Sequence, residues 1–404
     1  MLSSHKSNIL EVLKRVKRFE RKLEEIFARS FEANSQADPV IGFDKYLEDK
    51  RGRALISYLS APFRISHESS QMFSHQNVCR ALEIAKVFNK LGYIVDVVDL
   101  YDHTFRPRYG YDILFGNGTN FKRLARILGQ KVLKIFFTPD PHPNFRRKAE
   151  KIRRDDIVKR RGVQLVLRYP RAIEFPEKYV DAVICTGNSW VASQFAVFNR
   201  HVYPTGDGGF DNLRSTIFGK EFIVARTHFM WMANWLFVAK GLDLVLETFS
   251  KLPNINLHIC GALWNEPDVI DAYEKELFHQ RNIHFLGKMD LSSSDFEELT
   301  RRCAYTIFPS SGDTAAGSVW APMRCGVIPI VSVENGMDTD DFGITLSDCK
   351  LDTIREAVIN AANTDPEKCK AMAERAALMG NTYYTLDSWS ERFEKALVAI
   401  IKDR

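Results

Sequence analysis

One stretch constrains the fold more than any other: residues 303–338, CAYTIFPSSGDTAAGSVWAPMRCGVIPIVSVENGMD. Tyr305–Phe308 is a short apolar run ending at Pro309, the pattern of a strand buried on both faces. A loop of small residues follows, with Gly312 and Gly317 permitting backbone shapes that bulkier residues resist. A helix can start near Gly317 and carry Val319, Met323 and Arg324. A second apolar run, Val327–Val333, comes directly after it. Strand, loop, helix and strand make one βαβ unit, whose loop leaves free N–H groups at a helix N-terminus. Such a terminus carries about half a positive charge and suits a phosphate. An ordinary crossover with an empty loop satisfies the same spacing.

The 404 residues are long for one core and natural for two domains. Hydrophobic content of 45% with 26% charged residues describes a soluble globular chain. No apolar run approaches the length of a membrane span, and the N-terminus lacks the core of a signal peptide. The expectation is a cytoplasmic protein. Its seven cysteines are scattered with no Cys-x-x-Cys pair, and read as reduced core residues with no metal site. Charge is unevenly spread: Tyr101–Val180 holds 19 Lys/Arg and 8 Asp/Glu, while the whole chain carries a net +5. A basic half attracts nucleic acid, anionic lipid or a phosphorylated acceptor. No recognised nucleic-acid motif accompanies it, so nucleic acid is not an expected partner.

Along the chain, Ile9, Val12, Val16, Phe19, Leu23 and Ile26 recur at steps of three and four. This amphipathic segment, 1–35, is an N-terminal helix that docks on its own domain, pairs two chains or lies on a membrane surface. Glu20, Glu24 and Glu25 dilute its basic face, which favours docking or pairing. Phe31–Gly52 reads as a polar connector. A first Rossmann-like domain, 36–210, then follows as a βαβ series. Its strands fall near Ala54–Leu59, Val95–Val98, Asp112–Phe115, Lys134–Phe137 and Val180–Cys185. Ser74, His75 and Asn77 stand at a helix start, and Asn117 in the loop Gly116–Asn120; all four are cleft candidates, although N-capping explains Ser74 equally well. His142 lies in the stiff loop Thr138–Pro143, at a strand's C-terminal end, where open α/β sheets hold ligands. The helix after it carries Arg146, Arg147, Arg153 and Arg154 on one face. That stripe is expected beside the acceptor end of the cleft, attracting anionic lipid.

Thr205–Phe210 is the most glycine-dense stretch and reads as an interdomain linker. A second Rossmann-like domain, 211–385, has strands near His228–Ala233, Asn256–Cys260 and Ile283–Leu286 besides the pair already described. Lys240-Gly241-Leu242-Asp243 opens one of its helices. The last helix, 386–404, presents Phe393, Leu397 and Ile400 on one face and is expected to cross back over the first domain.

Phe308-Pro309-Ser310, Gly317-Ser318 and Met323-x-x-Gly326-x-x-Pro329 resemble the donor signature of GT-B glycosyltransferases, in particular retaining family 4 (glycosyl transferases group 1). Lys240-Gly241-Leu242-Asp243 is similar to that family's diphosphate-contacting segment. His142-Pro143, the basic helix and Arg160-Arg161-Gly162 resemble a bacterial polysaccharide-assembly branch. The resemblance implies an α/β GT-B fold: two Rossmann-like domains facing a central cleft, here with an N-terminal helical extension. It implies a nucleotide-sugar donor, held by Lys240, Asn234, Gly261, Ser310, Gly317, Ser318 and Arg324. Asp313 would contact the sugar ring, and His142 would line the acceptor side or touch the sugar. No cofactor or metal is implied, and the anomeric configuration is retained. The acceptor would be a saccharide or a lipid-linked chain in cell-surface polysaccharide assembly, reached from the cytoplasm or the inner membrane face.

Two positions depart from the pattern. Asp313 stands where the family has its first glutamate, but Ala321 replaces the second, which grips the ribose. Asn234 replaces an arginine, leaving Arg324 or Arg226 to compensate. These departures motivate the alternative of a non-catalytic GT-B subunit that binds or stabilises a partner glycosyltransferase. A homodimer is a further open reading, and an epimerase on the same fold fits the motifs less well.

Overall fold

The computed structural model describes residues 38–43, 50–66, 76–166, 168, 175–209 and 213–404. The amphipathic segment 1–35 lies outside them. The first domain is a seven-stranded sheet of β1 (Val40–Phe43), β2 (Gly52–Tyr58), β3 (Tyr93–Asp99), β4 (Ile113–Gly116), β5 (Leu133–Thr138), β6 (Ala182–Cys185) and β7 (Val202–Pro204). Their spatial order is β1-β3-β2-β4-β5-β6-β7, parallel except for the β1–β3 pair. The central strands are mostly apolar because both faces are covered. Alternate residues still sort by face. Leu55, Leu114, Phe136 and Val183 pack with Phe121, Val191 and Phe195 from the helices Gly118–Leu128 and Ser189–Ala196. Ile56, Phe115, Phe137 and Ile184 pack on the other side with the helix Gln76–Lys90 and with the last helix, Leu386–Lys402.

That last helix is held to the first sheet by Trp389, Phe393, Leu397 and Ile400, all buried. Each such side chain contributes about 1.5–3 kcal/mol. Thr385 caps its start by accepting from the Ser388 amide (3.1 Å). The second domain is a wholly parallel six-stranded sheet of β8 (His228–Met232), β9 (Asn256–Cys260), β10 (Ile283–Gly287), β11 (Tyr305–Phe308), β12 (Ile328–Ser332) and β13 (Ile344–Leu346). Its order is β10-β9-β8-β11-β12-β13. Two Rossmann-like sheets, the fold expected, are therefore present.

Two local expectations are corrected. The polar connector 31–52 contains β1, an antiparallel edge strand too short to show periodicity. The buried Asp96 anchors it, accepting from the Gly42 amide (2.8 Å), Arg53 (2.7 Å) and the Tyr111 hydroxyl (2.6 Å). The glycine-dense linker is tightly packed: Thr205 and Asp207 are buried. Arg392 donates to the carbonyls of Thr205 (2.7 Å) and Asp207 (3.0 Å), and Arg324 to that of Gly209 (2.9 Å). A Cβ at Gly208 would come 2.4 Å from the Thr385 carbonyl, so glycine there permits close approach of two chain segments.

The second correction concerns the basic helix, Pro143–Arg161, one face of which packs on the second domain. Its Ile157 and the following Leu165 are buried in the second domain's core. Arg153 donates to the Pro309 carbonyl (3.1 Å). Arg160 pairs with Asp243 (2.7 Å) and Glu247 (3.2 Å), and Arg161 with Glu276 (2.7 Å). Arg154 pairs with Glu150 (2.9 Å), Arg146 with Asp140, and Arg147 bonds Asn144. Taking these arginines out of water requires partners, and acids of the second domain supply several of them. Among the described residues no helix is long and apolar enough to cross a membrane.

Candidate functional site

The site is built where C-terminal ends of strands from both sheets meet, the usual ligand crevice of open α/β sheets. On the second domain, β8 ends in a loop that brings round Lys240. Trp231 Nε1 donates to the Lys240 carbonyl (3.0 Å), and the Lys240 amide donates to the Leu236 carbonyl (2.9 Å). Ser311 fastens the loop from below, its amide (2.7 Å) and hydroxyl (3.1 Å) both donating to the Ala239 carbonyl. Gly241 takes φ 81°, and a Cβ there would meet the Pro309 carbonyl at 2.5 Å. Glycine is required at that contact.

From β11 the loop 309–316 turns beneath Lys240. Ser310 is fully buried, and its hydroxyl accepts from the Gly312 amide (3.1 Å). The Asp313 amide donates to the Glu334 carbonyl (2.8 Å), and Asp313 Oδ2 stands 3.9 Å from Lys240 Nζ. Both side chains keep about a fifth of their surface exposed. The helix Gly317–Arg324 begins at the end of this loop with no side-chain cap. Its first N–H groups, at Gly317 and Ser318, precede any intrahelical acceptor and are available to an anion. Leu236, Ala315 and Asp340 are the described non-glycine residues with positive φ, and the first two (φ 60° each) flank the Lys240–Asp313 pair. Such conformations cost about 1–3 kcal/mol and persist where neighbours enforce them.

The first domain closes one side. Thr314 Oγ1 donates to the Pro139 carbonyl (2.7 Å), and a Cβ at Gly312 would lie 3.2 Å from Phe145. The Asn188 amide donates to the Gly336 carbonyl (3.0 Å), and its side chain to Asp338 (2.6 Å). Gln76 lies against the helix start, 3.2 Å from where a Gly317 Cβ would stand. Gln76, Asn188 and Glu266, which binds the loop before Lys240, were not legible as site residues. Gln76 alone had a signal, as the first residue of the helix after the Ser/His run.

The structure thus brings together Lys240, Asp313, Ser310, Gly317 and Ser318. Gly261 packs nearby, at the end of β9: its φ is 157° and a Cβ would strike the Ala233 carbonyl at 1.9 Å. Asn234 is exposed, its carbonyl held by Asn265 (3.0 Å). Asn77 starts the helix Gln76–Lys90 and accepts from Arg80 (3.2 Å). Asn117 is buried behind β4, its amide donating to the Ser57 carbonyl (3.0 Å). Ser74 and His75 lie outside the described residues.

Two candidates are placed elsewhere than expected. His142 does not line a cleft: it is buried as the N-cap of the basic helix, accepting from the Asn144 amide (3.2 Å). Its ring stacks on Phe198 (4.7 Å) and meets the edges of Phe175 and Phe195. Burial, then Arg147, lower its pKa, so it sits as a neutral ring. Arg324 points to the linker, bonding the Gly209 carbonyl and Asn381 (3.1 Å). Ala321 is fully buried within the second core.

Two facing parallel sheets, crossed by a C-terminal helix returning to the first, define the GT-B class of glycosyltransferase folds. Residues 214–379, which lie in the second domain, match the family described as Glycosyl transferases group 1. Among solved structures, HepE from Anabaena in complex with UDP and glucose is similar over 86% of this chain and 99% of that one, at 11% identity and a TM-score of 0.54. Sucrose-phosphate synthase from Thermosynechococcus elongatus covers 87% and 99%, at 10% identity and 0.59. The α,α-trehalose 6-phosphate synthase of Burkholderia multivorans covers 88% and 99%, at 10% identity and 0.58. At such identities these likenesses carry the fold. No curated protein sequence is significantly similar to the chain.

Proposed function

We propose that the chain is a glycosyltransferase moving a sugar from a nucleotide-sugar donor to a saccharide or lipid-linked acceptor, in cell-surface polysaccharide assembly. The observation that carries this reading is the approach of Lys240 to Asp313 (3.9 Å) beside the uncapped start of the helix Gly317–Arg324. A lysine and a helix N-terminus are suited to a diphosphate, and a carboxylate to sugar hydroxyls. In the reaction the bond from the anomeric carbon to the phosphate oxygen breaks and a bond to the acceptor oxygen forms. Lys240 and the amides of Gly317 and Ser318 carry the charge that develops on the leaving diphosphate, with no step assigned to a metal. Family resemblance supports retention, in which the leaving phosphate takes the acceptor proton.

Lys240→Ala is expected to weaken binding of a nucleoside diphosphate by roughly 1.5–3 kcal/mol and to leave the nucleoside unchanged. Calorimetric titration with UDP, GDP and ADP, each beside its nucleoside, measures this. Equal losses for both ligands would make Lys240 structural, and a wild type binding none of them would end the proposal.

The second reading, a non-catalytic GT-B subunit, is favoured by Ala321, whose full burial puts methyl and core where the resemblance calls for a ribose-binding carboxylate. Nucleotide binding with no release of diphosphate from any nucleotide-sugar, with or without acceptor, would support it.

A further inference from the structure

Deepening the reading just given, on which it rests, we infer that Glu266 is a positioning residue for Lys240 and that Arg168 ties this positioning to the first domain. Glu266 is fully buried at the start of the helix Pro267–Ala272, on the segment after β9. One carboxylate oxygen accepts from the amides of Leu236 (2.6 Å) and Phe237 (3.3 Å). Those residues in turn offer their carbonyls to the amides of Lys240 and Leu242 (2.9 Å each). Glu266 therefore holds the turn from which Lys240 projects. Leu236 has φ 60°, an unfavourable conformation for a leucine, and a charged acceptor on its own amide is a direct means of enforcing it. Asn265, one residue earlier, fixes the carbonyl of Asn234 at the same loop's start.

The other carboxylate oxygen lies 3.2 Å from Arg168, which also pairs with Asp268. Arg168 belongs to the first domain. Its amide donates to Glu150 (2.9 Å), and Glu150 pairs with Arg154 on the basic helix. The neighbouring Val166 amide donates to Asp268 (2.8 Å), and Leu165 is buried in the second core. One buried carboxylate thus meets the Lys240 loop on one side and a strap from the opposite domain on the other. A carboxylate serving only the helix start would need neither contact.

The test uses the full chain with Glu266→Ala, Glu266→Gln and Arg168→Ala. Glutamine keeps an oxygen for the two amides but loses the attraction to Arg168, and Arg168 is partly exposed, so these two variants guard against Glu266→Ala failing to fold. The first readout is hydrogen exchange of residues 234–240; the second is acrylamide quenching of Trp235, which is 60% exposed in that loop. The third is affinity for UDP, GDP and ADP beside their nucleosides. Glu266→Ala is expected to speed exchange at Leu236 and Phe237 at least tenfold, to raise Trp235 quenching and to weaken the diphosphate at least tenfold with the nucleoside within twofold. Arg168→Ala and Glu266→Gln should give intermediate losses in the same order. A general loss of stability that weakens nucleoside and diphosphate alike, with exchange no faster at 234–240 than elsewhere, would overturn the assignment. So would unchanged exchange in all three variants. A wild type binding no nucleotide would defeat the parent reading alone, since exchange and quenching still decide whether Glu266 fixes the loop.

Discussion

Replacing Arg80 by alanine is expected to destabilise the protein by about 3–5 kcal/mol, the usual effect of stranding one charge of a buried pair. Arg80 and Asp207 are almost fully buried and form an ion pair. Arg80 further donates to the Gly208 carbonyl (3.2 Å) and to Asn77 (3.2 Å), with its guanidinium 5.3 Å from the Trp389 ring. Burial lowers its pKa to about 10, which leaves it charged at neutral pH. Asp207 lies in the linker between the domains, so the alanine variant leaves a carboxylate without a partner where three segments cross. Urea unfolding measures the loss, and the double variant Arg80→Met/Asp207→Asn should recover most of it by removing both charges. A single-variant loss under 1 kcal/mol would mean that Arg392 and the close glycine contacts hold the linker without this pair.

The linker shows why part of the molecule could not be read in advance. Glycine density signals backbone freedom, and freedom serves a mobile link or a tight crossing equally well; the choice depends on residues about 180 positions away, Thr385 against Gly208 and Tyr383 against Gly206. The basic helix has the same character. Its periodicity was legible, yet the acids meeting Arg160 and Arg161 lie at Asp243, Glu247 and Glu276, and nothing local reports such partners. His142 was misplaced because a His-Pro step at a helix start fits a cap as well as a ligand contact, and Phe175, Phe195 and Phe198 decide between them. The strands were easier. Doubly covered parallel strands are mostly apolar, so β5, β6, β9 and β11 stand out, whereas the edge strand β1 does not. The loop around Ser310 and Asp313 was legible through glycines and proline at a strand end, but its approach to Lys240 across more than seventy residues rested on resemblance.

Acid is expected to weaken the second domain through a stack of three histidines on the neighbouring strands β8, β9 and β10. His228 Nδ1 lies 3.0 Å from His258 Nε2, and the rings of His258 and His284 stack at 4.9 Å. Burial lowers the pKa of all three. For His258 burial comes first, then the neighbouring His284 and His228 and then Arg302, bringing it to about 3. Below the ordinary histidine value of about 6.5 the unfolded chain takes up a proton that the folded one refuses, so stability falls as pH falls. The window runs from about pH 6.5 down to about pH 3, at roughly 1.4 kcal/mol per pH unit for His258 alone, or about 3 kcal/mol by pH 4.5. Protonating His258 inside the fold would place a cation against two histidines and an arginine, with no described carboxylate bonded to any of the three rings. His258→Gln keeps a polar side chain there and cannot titrate. Urea unfolding at pH 7.0, 5.5 and 4.5 should show wild-type stability dropping more steeply than the variant's, with the two curves about 3 kcal/mol closer at pH 4.5 than at pH 7.0. Parallel curves would mean that the stack accepts its proton without cost and that carboxylates elsewhere govern the acid limit.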